Sequence, residues 1–168
     1  NTSGIGLVPS HLDISGHKAK PGDVIIINGT IADHGITIMS ARDGLEMEMD
    51  LKTDSAPLNR LTEDILARTA QIHVMRDPTR GGVATTLNEI AIQSRVAIRI
   101  HEKDLPVTDN VRSACEILGL DPLYIANEGK CLVFCPESEA QKVKQLLARI
   151  AELERHLGQK QLEIDYLD

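Results

Sequence analysis

Runs of apolar residues and alternating apolar and polar residues predict five β-strands. Residues 24–27 are a continuous apolar run after the Pro21-Gly22 turn signal, which is typical of a strand buried on both faces. Residues 96–101 alternate, as a half-buried strand does, and residues 45–51 alternate as a strand or as a solvated extended segment. The predicted strands are 24–28, 45–51, 73–75, 96–101 and 131–135.

Apolar residues at helical spacing predict helices between these strands. The Asp33-His34-Gly35 sequence opens one helix, and Asp54-Ser55-Ala56-Pro57 precedes another that has an apolar stripe. Two more helices begin near Val83 and at Thr108, and Gly119 ends the second of these. The predicted fold is α/β: a mixed sheet with helices packed on one face, followed by a C-terminal amphipathic helix. Strand order does not follow from the pattern.

The pattern changes from Glu137 onward, where apolar residues recur at alternating steps of three and four, with only Lys160 out of place. This spacing forms the seam of a coiled coil, but it also fits an amphipathic helix that packs on its own domain. Both interpretations stay open. The residues concerned are Val143, Leu146, Ile150, Leu153, Leu157, Ile164 and Leu167.

The composition limits the classes of partner. The chain has 168 residues and a net charge of −7, and 2% of its residues are aromatic. The negative charge disfavours binding to a nucleic-acid backbone, and the shortage of aromatic residues argues against base stacking. No apolar run is long enough to span a bilayer. We therefore expect no nucleic acid and no membrane as partners, and any anion site would be local.

The cysteine and histidine residues form no recognisable metal motif. An odd number of cysteines without an export signal indicates reduced thiols in a cytoplasmic protein. Cys131 and Cys135 share one face of a strand, either as a metal pair or as buried structural thiols, and the second interpretation is favoured. We interpret four histidines as isolated structural or surface residues: His11, His17, His73 and His101.

The turn at residues 76–82 is the first candidate ligand site. Pro78 stiffens the turn, and Gly81 and Gly82 lack the Cβ atoms that would keep a ligand away from the backbone. A helix N-terminus follows, with unpaired N–H groups and the positive end of the helix dipole. This arrangement predicts an anion site for phosphate.

The charged and polar residues of the same turn allow two interpretations. Arg76 and Arg80 add permanent charge and planar donor groups on both sides of the glycines. In the alternative, Thr79 or Asp77 caps an ordinary helix and both arginines lie on the surface.

Two further segments carry candidate chemistry. After the first strand, Asp33 and His34 open a helix, and His34 either donates a hydrogen bond to phosphate or caps that helix. Before the last strand, Glu128 stands beside Gly129, so a substrate could approach a carboxylate acting as a general base. The alternative for Glu128 is a turn acid paired with Lys130.

Four ordered segments resemble the HypE family of NiFe-hydrogenase maturation proteins, within the superfamily of aminoimidazole ribonucleotide (AIR) synthetase and selenophosphate synthetase. The resemblance covers roughly residues 1–140 and concerns the C-terminal half of that family only. The four segments are PGDVIIINGTIADHG (21–35), MRDPTRGGVATTLNEIA (75–91), LPV with LGLDP (105–107 and 118–122) and ANEGK (126–130).

The resemblance implies a fold like the AIR synthetase C-terminal domain at residues 17–140. Residues 1–16 are then a remnant linker from a missing N-terminal ATP-binding domain, and residues 141–168 are a helical, coiled-coil-like extension. From about residue 149 the sequence departs from the family and looks like a leucine-rich helical segment of a transposase. The family's continuation and its C-terminal cysteine tail are not found in this sequence.

The resemblance also implies a function. Proteins of this family use ATP to dehydrate an S-carbamoyl cysteine to S-thiocyanate, the source of the cyanide ligands of NiFe hydrogenase. Glu128 would remove an amide proton, and phosphate or nucleotide would contact Asp33, His34, Arg76, Asp77, Thr79, Arg80, Gly81, Gly82 and Asn127.

The implied cofactors are ATP and Mg²⁺, held mainly by the missing domain. The implied partners are a second copy in a homodimer, a carbamoyltransferase and iron-loading maturation proteins. We expect this chain alone to be inactive. The alternatives are a non-catalytic fragment or oligomerisation module, and a related synthetase of selenophosphate or aminoimidazole ribonucleotide.

Overall fold

A three-stranded antiparallel sheet forms the centre of the domain. The computed structural model describes residues 5–42, 52–69, 71–149 and 152, so the predicted strand at 45–51 lies outside the described residues. The middle strand pairs with both others, in the order β1-β3-β2. The strands are β1 (Asp23–Ile27), β2 (Val74–Arg76) and β3 (Leu132–Pro136).

The helices confirm the periodicity of the sequence. The Thr108 hydroxyl caps α4 by accepting a hydrogen bond from the backbone N–H of Val111, and Gly119 ends that helix in the left-handed conformation. None of the described helices is both long and apolar enough to cross a membrane. The helices are α1 (Asp33–Arg42), α2 (Asn59–Arg68), α3 (Gly82–Ser94), α4 (Asp109–Leu118) and the described part of α5 (137–149).

Helices cover both faces of the sheet. Leu132 and Phe134 of β3 pack with α3, whereas Val133 and Cys135 pack with α2 and α5. The prediction that helices lie on one face was therefore wrong, because the four residues 132–135 are all buried and a strand buried on both sides needs cover on both sides. The α/β class is confirmed, but all described strand pairs are antiparallel rather than mixed.

The predicted strand at 96–101 is also wrong within the described part of the chain. Val96 and Ile98 are half-buried and pack against the cluster under α3, while Ala97 and Arg99 are exposed. The alternation is therefore real, but no described strand pairs with the segment. Alternation indicates which side chains face the core and does not identify a hydrogen-bonding neighbour.

The start of α5 packs on its own domain. Val143 and Leu147 are buried with Leu61 and Ile65 of α2. This supports the intramolecular interpretation for the described part of α5. The remaining seam residues from Ile150 onward lie outside the described residues, and the coiled coil stays a prediction.

Candidate functional site

The three predicted site segments meet at one end of the sheet. Leu132, at the start of β3, is in register with both Ile27, the last residue of β1, and Arg76, the last residue of β2. The chain leaving β1, the chain leaving β2 and the chain arriving at β3 therefore emerge side by side. These are the segments that contain Asp33 and His34, the 76–82 turn, and Glu128.

The Asn127 side chain joins these segments. It is 2% exposed, and its Oδ1 accepts a hydrogen bond of 2.8 Å from the backbone N–H of Ala32. Its Nδ2 donates to the carbonyl oxygens of Pro78 at 3.2 Å and Ile125 at 2.9 Å. Both amide N–H groups are thus used by the chain itself. Asn127 has a structural role, and its predicted contact with a cofactor stays a prediction.

The 76–82 turn is held by its own side chains and by close packing. The Thr79 hydroxyl donates to Asp77 Oδ2 at 2.8 Å, and Pro78 is buried. Gly81, with φ 71°, is the N-cap of α3, and no side chain caps the helix. The alternative in which Thr79 or Asp77 caps α3 is therefore wrong, and the N-terminus of this helix is left uncapped by side chains.

Close packing explains why residue 82 is a glycine, which the sequence pattern did not indicate. Its φ is +66°, and a Cβ at this position would collide with the carbonyl oxygens of Leu123 and Ile125. The N-terminus of α3 is therefore pressed against the short 3-10 turn Pro122–Tyr124. The missing side chain of Gly82 allows contact with the protein's own backbone.

The two arginines of the turn differ in their surroundings. The Arg76 guanidinium donates to Glu89 Oε2 at 3.1 Å and lies 3.9 Å from Asp77 Oδ1. Arg80 is exposed and forms no ion pair with the described residues. Of the two, Arg80 is the cation available to an anion.

Two hydroxyl groups that the sequence analysis missed surround His34. Its Nδ1 lies 2.8 Å from Thr53 Oγ1 and 3.2 Å from Ser55 Oγ, and these two oxygens are 3.0 Å apart. The sequence pattern around Ser55 indicated only the start of α2. The neighbouring Asp33 has a buried Oδ2 with no hydrogen-bond partner among the described residues.

Glu128 is half-buried and forms no hydrogen bond or ion pair with the described residues. The alternative in which it pairs with Lys130 is wrong, because the Lys130 ammonium pairs with Asp54 Oδ2. Lys130 is 7% exposed. A Cβ on Gly129 would lie 2.5 Å from the carbonyl oxygen of Asp54, so the turn before β3 also packs closely on this segment.

A second polar cluster lies at the opposite end of the sheet. His73 Nδ1 donates to both carboxylate oxygens of Asp23 at 2.9 Å, and Lys20 Nζ donates to His73 Nε2 at 3.1 Å. The prediction that His73 is isolated was therefore wrong. No local signal could have revealed the pair, because 50 residues separate the two side chains.

The cysteines are buried free thiols, as predicted. Burial raises the pKa of Cys131 to about 11, with a smaller increase from the negative charge of Asp77 and a decrease from a hydrogen bond to the Arg76 backbone. Burial also raises the pKa values of Cys115 and Cys135. Across the described ranges, no three His, Cys, Asp or Glu side chains lie together in a group that could hold a metal ion.

The sequence matches the family described as AIR synthase related protein, C-terminal domain, over residues 20–157. The carbamoyl dehydratase HypE of Rhizobium leguminosarum bv. viciae is 53% identical over 139 residues, covering 82% of this chain and 40% of the relative. HypE of Azotobacter vinelandii is 49% identical over 146 residues, covering 87% of this chain and 43% of the relative. The chain thus spans less than half the length of these curated relatives.

A solved structure agrees with the sequence comparison. The crystal structure of hydrogenase maturation protein HypE in complex with ATP superposes with a TM-score of 0.77 at 51% identity, covering 80% of this chain and 40% of that one. The expected resemblance to HypE is confirmed. The chain therefore belongs to the family of AIR synthase related proteins, whose C-terminal domain it matches, and is similar to HypE.

Proposed function

We propose that this chain is the C-terminal domain of a HypE-like carbamoyl dehydratase. The observation that carries the proposal is the junction made by Asn127, which holds Asp33, the 76–82 turn and Glu128 at one end of the sheet. Similarity to proteins named carbamoyl dehydratase, and to a HypE structure containing ATP, supports the same conclusion.

The described residues fit the phosphate part of a nucleotide. Arg80 is exposed, the N-terminus of α3 has no side-chain cap, and the helix dipole favours an anion there. His34 contacts the Thr53 hydroxyl through Nδ1; in the tautomer in which Nδ1 accepts from that hydroxyl, Nε2 carries the proton and donates to a phosphate oxygen. The unpaired Asp33 Oδ2 accepts a hydrogen bond from a donor group of the ligand, since a buried acceptor without a partner costs about 1–3 kcal/mol.

Bound ATP supplies a phosphoryl group that turns the oxygen of the substrate amide into a leaving group. Phosphorylation of that oxygen releases ADP and the first of the two amide protons; Glu128 then accepts the second proton from the nitrogen while the carbon–oxygen bond breaks and phosphate leaves, so that a carbon–nitrogen triple bond forms. Arg80 stabilises the negative charge on the departing phosphate. The described residues do not form a metal site, so no step is assigned to Mg²⁺.

The proposed partner is HypF. A chain in the crystal structure of a HypE-HypF complex is 47% identical to this chain and superposes with a TM-score of 0.77. We infer that binding of the substrate cysteine needs the remainder of a HypE-like enzyme, because this chain matches only 40–43% of the HypE proteins to which it is similar. We therefore expect no turnover by the 168-residue chain alone.

Titration calorimetry of ATP with Mg²⁺ tests the proposal, first with the chain alone and then with the N-terminal half of Azotobacter vinelandii HypE added in trans. Arg80→Ala should weaken binding at least tenfold, whereas Arg112→Ala, which removes an exposed arginine of α4, should leave it unchanged.

The catalytic role of Glu128 needs a different readout. In the reconstituted enzyme, Glu128→Gln should keep nucleotide binding and lose phosphate release dependent on the carbamoylated substrate. Absence of ATP binding both alone and in trans would leave only the fold assignment.

A further inference from the structure

The outer edge of β1 offers unpaired backbone groups. The carbonyl oxygen of Phe134 accepts from His73 on the β2 side, and the N–H of Cys131 donates to the Asn28 side chain on the β1 side. The backbone N–H and C=O groups of the even-numbered residues of β3 therefore point toward β2. Ile25 and Ile27, which face Phe134 and Leu132, then direct their backbone N–H and C=O groups away from β3. No strand in the described part of the chain meets this edge.

A second extended segment lines the same cavity as β1. Residues 96–99 alternate between half-buried and exposed side chains, and residues 96–100 have no strand partner among the described residues. Val96 and Ile98 pack on the same apolar cluster as Ile25 and Ile27. The two segments thus share one face of a common core.

Hydrogen bonds fix the two segments to each other at both ends. Before β1, the Ala19 N–H donates to Ser94 Oγ at 3.1 Å, directly ahead of residue 96. After β1, the Ile31 N–H donates to the carbonyl oxygen of Pro106 at 2.9 Å. The two segments therefore run in the same direction. They are joined by one hydrogen bond before β1 and one after it.

A cavity of about 440 Å³ lies between the tied ends. β1 and residues 96–100 form its two sides, and Leu87 and Phe134 also line it. Its lining is mostly apolar but also includes Lys20, Asp23, Arg99 and Asp104. Ile25 and Ile27 add backbone donors and acceptors at a two-residue spacing. Adjacent strands lie about 4.8 Å apart, so one strand fits between two such segments when they are separated by twice this spacing.

We propose that this cavity, the β1 slot, accepts one β-strand from polypeptide that the longer relatives carry outside the matched residues. The inserted segment would hydrogen-bond to β1 and place aliphatic side chains at every second position over Leu87 and Phe134. The source follows from length: the matched residues are 40–43% of the two curated HypE proteins, so most of each relative lies outside the match.

Amide hydrogen exchange of the 168-residue chain, followed by NMR, tests the proposal. The probes are overlapping synthetic peptides that tile the part of Azotobacter vinelandii HypE outside its 146 matched residues. One peptide should slow exchange at Ile25 and Ile27 at least tenfold. Val24 and Ile26, which bond to β3, should exchange slowly with or without peptide and report that the fold is intact.

Matched variants localise the effect. Ile98→Asp should abolish peptide protection, while Ile117→Asp on an exposed face of α4 should not. If Ile98→Asp loses protection at Val24 and Ile26, Ile100→Asp replaces it, because Ile100 lines the same cavity and is 41% exposed.

Three outcomes would overturn the proposal. The first is slow exchange at Ile25 and Ile27 in the chain without peptide. This would mean that the chain's own residues fill the slot. If the protection rises with chain concentration, a second copy fills it instead. The second is failure of every peptide to protect these amides. The third is protection that survives both Ile98→Asp and Ile100→Asp.

Discussion

The side-chain oxygen of Asn127 accepts a hydrogen bond from the backbone N–H of Ala32, a residue that has a positive φ of 72°. Few residues other than glycine adopt this conformation, and it needs support from its surroundings. The Asn127 amide supplies that support and also binds Pro78. The geometry of the candidate site therefore depends on one buried side chain.

Asn127→Ala should lower the free energy of unfolding by about 2–4 kcal/mol, because the buried N–H of Ala32 and the carbonyl of Ile125 lose their side-chain partner, while the Pro78 carbonyl keeps only the backbone N–H of residue 127. Urea unfolding followed by circular dichroism measures the change. Asn88→Ala is the control, since Asn88 is an exposed residue of α3, and it should change the free energy by less than about 0.5 kcal/mol. Equal effects of the two substitutions would contradict the junction.

Gly82→Ala should destabilise the domain more than Gly119→Ala. Both glycines have φ near +65°, but a Cβ at Gly82 meets carbonyl oxygens, whereas nothing lies within 4 Å at Gly119. We expect a loss of about 1–2 kcal/mol at Gly119 from the left-handed conformation alone, and about 3 kcal/mol or more at Gly82. Thermal unfolding of both variants provides the comparison, and a smaller loss at Gly82 would be inconsistent with the close packing.

The buried ion pair between Lys130 and Asp54 predicts a strongly coupled double-mutant cycle. Lys130→Met alone should cost about 3–5 kcal/mol because it leaves a partly buried carboxylate unpaired. Lys130→Met with Asp54→Leu should recover most of that loss.

The exposed pair Lys18 and Asp13 provides the comparison for this cycle, and Lys18→Ala should cost at most about 1 kcal/mol. Unfolding in urea at neutral pH measures these three variants and Asp54→Leu alone, which completes the cycle. Additive losses at Lys130 and Asp54 would show that the two charges are not coupled.

The Cys131 thiol predicts a loss of stability at alkaline pH. Its pKa rises from 9.0 to about 11 in the folded chain, so the folded state holds the proton more tightly than the unfolded state. The stabilisation is complete below pH 9 and is lost as the pH rises to 11, with a total of about 2–3 kcal/mol.

Comparison with Cys131→Ala isolates this contribution, because other groups also titrate in the same range. The difference in unfolding free energy between the original chain and the variant should shrink from pH 9 to pH 11. A constant difference would mean that the thiol is not protected by burial.

The C-terminal seam predicts self-association. If residues from Ile150 onward form a coiled coil, light scattering should give a dimer for the 168-residue chain and a monomer after truncation at residue 149. This truncation retains Val143 and Leu147, which belong to the core. The same mass before and after truncation would exclude the coiled coil.

Local signals made the helices and the site segments predictable. Thr108 and Gly119 mark the ends of α4 through their own side-chain and backbone chemistry, and the turn residues around Pro78 and Glu128 similarly mark loops. The convergence of these loops was not predictable, because Asn127 finds partners 95 and 49 residues away. The pairing of His73 with Asp23 depends on sheet order in the same way.

The 96–101 segment shows a further limit of the sequence pattern. Its alternation correctly placed Val96 and Ile98 toward the core, but alternation carries no information about backbone pairing. The packing of helices on both faces of the sheet could likewise not be predicted from the sequence pattern. It depends on the strand order that places β3 in the middle, and this order is a property of the whole chain.

The central position of β3 has a consequence for folding during synthesis. β1 and β2 each pair only with β3 in the described sheet, and β3 begins at Leu132. A ribosome that has synthesised the chain up to Cys131 has therefore produced the two edge strands of this sheet without the strand that lies between them. Their apolar faces stay accessible to chaperones until β3 emerges, and all pairing in this sheet is long-range and slow to form.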